Sequence, residues 1–302
     1  MRIVAALGGN ALLQRGEALS AAAQHENVAL AAVQLAAMVR SGHSLIVTHG
    51  NGPQVGLLAI QAEAGPPVSV QPLDDLDAET EGWIGYALEQ ELANALPAGT
   101  EVATLLTRIA VDPQDPAFTK PTKPIGPVYD EATAKQLSTE RGWNVAQDGK
   151  FWRRVVSSPV PVSILNETSI SLLSQAGAVV ICAGGGGIPV VQDARGKWHG
   201  VEAVIDKDTA SALLATRLKA DLFIMLTDVD AVYENYGTAT QRKISTATPA
   251  ELGSEAFAAG SMGPKVAAAC RFARETGNTA IIGCLRDVEK ILAGQAGTRV
   301  SQ

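Results

Sequence analysis

Short apolar runs alternate along this chain with longer stretches of helical periodicity. Residues 2–7, 44–48, 101–111, 178–183, 222–227 and 279–283 read as strands. Several of them are apolar without a break, the pattern of strands buried on both faces. Residues 20–41, 74–96, 206–218, 264–276 and 286–293 carry helical spacing. Gly42 stops the first of these, and Pro53 suits the first position of a helix, where its missing N–H costs nothing. The alternation predicts an α/β chain: a three-layer α/β/α sandwich on a mostly parallel open sheet. Ligands of such folds bind beyond the carboxyl ends of the strands.

Two segments depart from this rhythm. Residues 112–158 are rich in proline, lysine and aromatic side chains, including Pro121, Pro124, Pro127, Trp143, Phe151 and Trp152. A connection this long is functional or disordered, and its aromatics favour an ordered, small protruding subdomain. Residues 192–204, with Asp193-Ala194-Arg195-Gly196 at the turn, read as a β-hairpin.

Composition narrows the function classes. The 302 residues are 46% hydrophobic and 18% charged, with a net charge of −7. That balance argues against nucleic-acid or anionic-membrane partners. An acidic chain that binds anions must do so locally, with lysines set against its overall field. Cys182, Cys270 and Cys284 are far apart in apolar surroundings and read as free thiols, without zinc-ligand spacing. No apolar run approaches the length of about 18 residues that would span a membrane. The first residues read as a strand and not as a leader, so a cytoplasmic setting is expected.

Glycine clusters fall where strands should hand over to helices: Gly8-Gly9-Asn10, His49-Gly50-Asn51-Gly52-Pro53-Gln54, Gly184 to Gly187, and Ser261-Met262-Gly263-Pro264-Lys265. Glycine lets backbone N–H groups approach an anion, and a helix N-terminus carries partial positive charge. Asp206 is a natural N-cap, which puts Lys207 and Asp208 in a first helical turn. Lys265 follows Pro264 in the same kind of position. A lysine there opposes the helix dipole by about 0.3–1 kcal/mol, so two of them point to an anionic ligand that offsets the cost. Asp208 is placed to hold these lysines by charge-assisted hydrogen bonds. Lys123, within Pro121-Thr122-Lys123-Pro124-Ile125-Gly126-Pro127, is presented from a proline-stiffened arm. Neither a P-loop nor a dinucleotide-binding fingerprint is present. None of the four histidines is assigned as a general base, and His49 reads as a loop-ordering residue.

These motifs, in this order, resemble the amino acid kinase family, and within it the carbamate kinases. The resemblance runs nearly end to end. It rests on Ala6 to Leu12, Val47 to Gly56, Pro121 to Pro127, Arg153 to Val156, Ala183 to Pro189, Val201 to Asp208, Leu226 to Val229 and Gly260 to Val266. It implies a single domain, with an acceptor-binding part over 1–205 and a nucleotide-binding part over 206–302. It also implies transfer of a phosphoryl group between ATP and carbamate, giving ADP and carbamoyl phosphate; a relative acting on another small carboxylate is the alternative. ATP with magnesium carried by the nucleotide, homodimers and small-molecule substrates are the implied partners. By position, Lys123, Lys207 and Lys265 match the family's catalytic lysines, and Asp208 its organising aspartate. Gly8, Gly9, Asn10, Gly50, Asn51 and Gly52 match the acceptor loops. Asp206, Thr227, Asp228, Val229, Tyr233, Met262, Gly263 and Pro264 match the nucleotide neighbourhood. Ser157, where the pattern has proline, and Trp83, where it has methionine, depart from the family without touching a charged position.

Overall fold

A computed structural model of the chain describes residues 1–13, 17, 20–65, 70–253, 257 and 262–302, leaving out the side chains of residues 10 and 11. Gly260 and Ser261, part of the fourth glycine cluster, lie outside the described residues. The first half runs β1 (Arg2–Leu7), α1 (Gly9–Leu12), α2 (Ala21–Arg40), β2 (Ser44–His49), α3 (Gly52–Ala64), α4 (Leu73–Ala95), β3 (Val102–Leu105) and β4 (Arg108–Val111). It continues with β5 (Lys123–Tyr129), α5 (Glu131–Arg141), β6 (Val145–Asp148), β7 (Phe151–Val156), β8 (Pro161–Ile164) and α6 (Glu167–Gln175). The second half holds β9 (Val179–Cys182), β10 (Ile188–Gln192), β11 (Trp198–Gly200), α7 (Lys207–Arg217), β12 (Leu222–Thr227), β13 (Val232–Glu234) and β14 (Arg242–Ile244). It ends with β15 (Thr246–Ala247), α8 (Pro249–Gly253), α9 (Met262–Thr276), β16 (Thr279–Cys284), α10 (Val288–Leu292) and β17 (Thr298–Val300).

Eight strands form the central sheet in the order β15-β17-β16-β12-β1-β2-β9-β3, parallel at every pairing except β16 with β17. Its strands are apolar at consecutive positions because both faces are covered. Along β1, Val4 and Ala6 join one core with helices α7 and α9, while Ile3, Ala5 and Leu7 join the other with α2 and α4. Successive side chains point to opposite faces, so a continuous apolar run serves two layers. The expected three-layer sandwich is therefore present. The Ser20 hydroxyl accepts from the Ala23 amide at 3.2 Å and starts α2 one residue inside the expected range.

Three boundaries differ from the sequence reading. Residues 101–111 are not one strand: β3 joins the central sheet, and β4 joins a second sheet of order β11-β10-β4-β8. The break falls at Thr107, whose amide donates to Glu81 Oε2 at 2.8 Å and whose hydroxyl donates to the Leu105 carbonyl at 2.8 Å. Residues 286–293 form a 3₁₀ turn (Leu285–Asp287) followed by the short α10. Described from Met262, α9 already includes Pro264, and α3 starts at Gly52, so each proline sits inside a first turn whose N–H groups need no intrahelical partner.

The segment over 112–158 is an ordered subdomain: a three-stranded antiparallel sheet, β5-β7-β6, with α5 packed on it. It docks on α3 through two glycines. A Cβ on Gly56 would lie 1.9 Å from the Gly126 Cα, and Gly126 has φ +70°. Beside them, Glu63 of α3 accepts from Arg141 at 2.7 Å, Arg154 at 3.3 Å and the Trp143 indole at 2.9 Å. Partly exposed ion pairs contribute little singly, so the close backbone approach and the apolar cluster of Val55, Ala59, Ile125 and Val156 carry the docking. Gly56→Ala is expected to lift β5 off α3. Hydrogen exchange checks this: the β5 amides should exchange faster in the variant, and unchanged exchange contradicts the close approach.

Candidate active site

The glycine clusters meet at the carboxyl edge of β12, β1, β2 and β9. Gly8 extends the β1–β12 pairing, its amide donating to the Leu226 carbonyl at 2.8 Å, and its α-carbon faces Thr227. A Cβ on Gly50 would lie 3.1 Å from the Gly9 nitrogen and 3.2 Å from the Lys207 side chain. One added methyl group would thus touch both loops and a lysine. Gly185, with φ +67°, backs onto the Asn51 side chain, and Gly186, with φ +108°, backs onto the Ile205 carbonyl. The four-glycine run is buried and packed, not a linker. The structure brings Gly8, Gly9, Gly50, Asn51, Thr227 and Lys207 into one neighbourhood. Asn10 lies in α1 with its side chain outside the described residues, and Gly52 opens α3.

Two of the lysines converge on one carboxylate. Asp208, almost fully buried, accepts from Lys207 Nζ on Oδ1 at 2.5 Å and from Lys265 Nζ on Oδ2 at 2.9 Å. Two residues earlier, Asp206 Oδ1 caps α7 by accepting from the amides of Asp208 (3.0 Å) and Thr209 (3.1 Å). Asp206 Oδ2 pairs with Lys123 Nζ at 2.6 Å. A single helix start therefore positions three ammonium groups drawn from β5, α7 and α9. Ser211 fixes that start from behind: its hydroxyl donates to the Lys207 carbonyl at 2.6 Å and lies 2.6 Å from the Thr48 hydroxyl of β2.

Burial and charge act in opposite directions on this cluster. Burial alone would raise both carboxyls. The Lys123 ammonium outweighs it at Asp206, holding that group well below the usual carboxylate range. Lys207 and Lys265 do the same at Asp208, which is also lowered. Burial lowers Lys207 to about 8, because Lys265 adds to the penalty and Asp208 only partly offsets it. Burial also works against Lys265, but Asp208 and Asp206 outweigh it and hold the ammonium form. Of the two lysines on Asp208, Lys207 is the one that gives up its proton first.

Behind the second loop lies a polar wall that the sequence reading missed. Asn51 Nδ2 donates to Asp77 Oδ1 and to Thr80 Oγ1, both at 2.9 Å. Glu81 accepts from the Thr107 amide, and Gly184 packs between Glu81 and the His49 ring. His49 is buried and its pKa is lowered to about 4 by that burial, so it is neutral and packs the loop, as expected. The signal was present as spacing: positions 77, 80 and 81 continue the face of α4 that buries Ile84, Leu88 and Leu92.

The remaining candidates are spread along the same edge. Thr227 and Asp228 follow β12, with the Thr227 hydroxyl donating to Asp228 Oδ1 at 3.0 Å, and Val229 comes next. Met262, Gly263 and Pro264 form the first turn of α9, one residue before Lys265. Tyr233 of β13 is tied elsewhere: its hydroxyl donates to Asp230 Oδ1 at 2.8 Å, and Asp230 pairs with Lys243. Cys182 and Cys270 are buried free thiols and Cys284 is half-buried; burial pushes the Cys182 thiol far up. Among the described residues, no helix is long and apolar enough to cross a membrane.

The profile of the amino acid kinase family matches residues 1–284. The chain belongs to the amino acid kinase family. Within that family it is 52% identical to a carbamate kinase from Haemophilus influenzae over 302 residues, covering 100% of this chain and 97% of the relative. A carbamate kinase from Rhizobium meliloti is also 52% identical over 304 residues, covering 100% of this chain and 93% of the relative. Among solved structures, a carbamate kinase from Giardia lamblia bound to AMP-PNP superposes with a TM-score of 0.89 at 39% identity. That match covers 99% of this chain and 98% of the other. The amino acid kinase fold thus accounts for the central sheet, the helical layers and the subdomain together.

Proposed function

We propose that this protein is a carbamate kinase, interconverting ATP plus carbamate with ADP plus carbamoyl phosphate. The observation that carries this reading is the convergence of three ammonium groups on Asp206 and Asp208 beside the Gly8-Gly9 and Gly50 backbone turns. Residues 1–205 supply the acceptor side and 206–302 the nucleotide side. Carbamate is already an anion, so no base has to remove a proton. The barrier is repulsion between a carboxylate oxygen and a phosphoryl group that is itself negative. Lys123, Lys207 and Lys265 stabilise charge on the transferring group, and the glycine loops hold the acceptor in line. Asp208 keeps two of the lysines aimed and is not itself consumed. Thr227, Asp228, Val229, Tyr233 and Met262 to Pro264 flank the nucleotide.

Magnesium belongs to this reading as a passenger of the nucleotide. Both oxygens of Asp206 and of Asp208 are engaged by ammonium or amide donors, and no cluster of metal ligands occurs among the described residues. In this reading the phosphates carry the cation, which would neutralise part of their charge. Homodimer formation, a cytoplasmic setting and ATP formation in arginine catabolism follow from the family resemblance and complete the proposal.

Two measurements test it. ATP should form from ADP and carbamoyl phosphate, and an acylated amino acid should not replace carbamate in the reverse direction. A protein that binds ATP but makes none from carbamoyl phosphate contradicts the assignment. The second is a pH profile. With Lys207 lowered to about 8, its charge is present below that pH and is lost above it. The value of kcat/KM for ATP formation should therefore fall as pH rises through about 8, and Lys207→Arg should flatten that limb. A profile level across this range contradicts the role of the Lys207 charge.

A further inference from the structure

Three side chains of α4 form a buried polar face where the helix passes behind the second glycine loop. Asp77, Thr80 and Glu81 are 1%, 0% and 2% exposed. Neither carboxyl has a Lys, Arg or His within ion-pair distance among the described residues. Asp77 spends Oδ1 on the Asn51 amide and leaves Oδ2 buried without a hydrogen-bond partner. Thr80 is held in turn, its hydroxyl donating to the Asp77 carbonyl at 2.9 Å. Both protons of the Asn51 side chain are thereby engaged by α4. Asn51 also has no slack on its other side, since a Cβ on Gly185 would lie 2.1 Å from its nitrogen. A stability-driven core would place apolar groups here, because a buried carboxyl without a cation is costly.

We propose that Asp77 is a positioning residue for the acceptor loop, holding Asn51 together with Thr80 so that the amides of Asn51 and Gly52 keep their aim at carbamate or at the carbamoyl group. Glu81 does the same one turn later, fixing the Thr107 and Gly184 segments against which that loop rests. This inference rests on the carbamate kinase reading. It extends that reading from residues that touch the reactants to a wall that does not.

Burial favours the neutral form of this wall. Burial raises the Asp77 carboxyl well above its ordinary value; Asp74 and Glu202 add to the shift, while the Asn51 bond and Lys123 oppose it. Burial likewise raises Glu81, with Asp77 adding and the Thr107 amide opposing. The groups facing the pair are Asp74 on the same helix, Lys123 on β5, Glu202 before α7, and the neutral His49 at the end of β2. As pH rises, ionisation of the pair places negative charge behind the loop that binds an anion. Acceptor binding should weaken before nucleotide binding does.

The test uses the full-length chain and follows ATP formation from ADP and carbamoyl phosphate. Asp77→Ala should raise KM for carbamoyl phosphate by about tenfold or more, with KM for ADP within about twofold of the parent. Asp77→Asn should recover most of that loss, since its carbonyl oxygen still accepts from Asn51. As pH rises, the parent's KM for carbamoyl phosphate should climb more steeply than that of Asp77→Asn. Asp77→Ala with both KM values unchanged, or with both raised alike, overturns the positioning role. If Asp77→Ala does not fold, the Asn variant decides: a pH slope identical to the parent's overturns the proposal. A parent that makes no ATP at all overturns the activity itself and this inference with it. A parent that turns over while Asp77→Ala leaves KM untouched overturns only the inference.

Discussion

Replacing Lys265 with alanine is expected to remove most turnover and leave the fold in place. Lys265 enters the site from the first turn of α9, and its ion-pair partner among the described residues is Asp208 Oδ2 at 2.9 Å. Removing it leaves Asp208 still paired with Lys207, so no buried carboxylate is stranded. The helix gains slightly, because a cation leaves its positive end. What is lost, in the proposed mechanism, is an ammonium aimed at the transferring phosphoryl group. By comparison with single oxyanion donors, that loss amounts to about 2–4 kcal/mol of transition-state stabilisation, or about thirtyfold to a thousandfold in kcat. Steady-state rates and a thermal melt check it together. A melt like the parent's with kcat reduced is the expected pair, and unchanged turnover removes Lys265 from the mechanism. Lys123→Ala should also act on kcat. Its side chain is about one quarter exposed, so its removal should cost less stability than any change at Asp208.

Asp208→Ala carries the largest expected effect on the fold. It strands two ammonium groups in a buried cluster, and breaking such a group by removing one partner costs about 3–5 kcal/mol. Turnover should vanish as well, since neither lysine keeps its aim. The parent's acid sensitivity offers a second readout. The lysines hold the Asp208 carboxyl below its ordinary 3.8. Its contribution to stability is therefore complete above that value and is lost as pH falls through the lower, folded-state value. The parent should lose stability more steeply than Asp208→Asn below about pH 4, as judged by denaturant melts at several pH values. Parallel acid curves for the two proteins contradict the arrangement.

Much of this was legible in the chain because the relevant chemistry is local. β1 and β12 were readable to the residue, since a two-faced sheet demands unbroken apolar runs there. Asp206, Lys207 and Asp208 could be placed because an N-cap and the turn behind it are written in three adjacent letters. Other features depend on distant partners. The division of residues 101–111 between two sheets is made by Glu81, 26 positions away, taking the Thr107 amide. Asp77 and Thr80 share the spacing of the face that buries Ile84 and Leu88, but their polar side chains mask it; the packing of Asn51 and Gly185 shows that the face is enclosed. The closeness of Gly56 to Gly126 likewise joins two segments, and neither glycine announces it alone.

The most direct test of the central claim is a crystal structure of the enzyme with a non-hydrolysable ATP analogue. Lys123, Lys207 and Lys265 are expected with their ammonium nitrogens at hydrogen-bond distance, about 2.7–3.2 Å, from terminal phosphate oxygens or the bridging oxygen. Asp208 should still join Lys207 and Lys265. Ammonium groups directed to separate faces, with the terminal phosphate held by other residues, would contradict it.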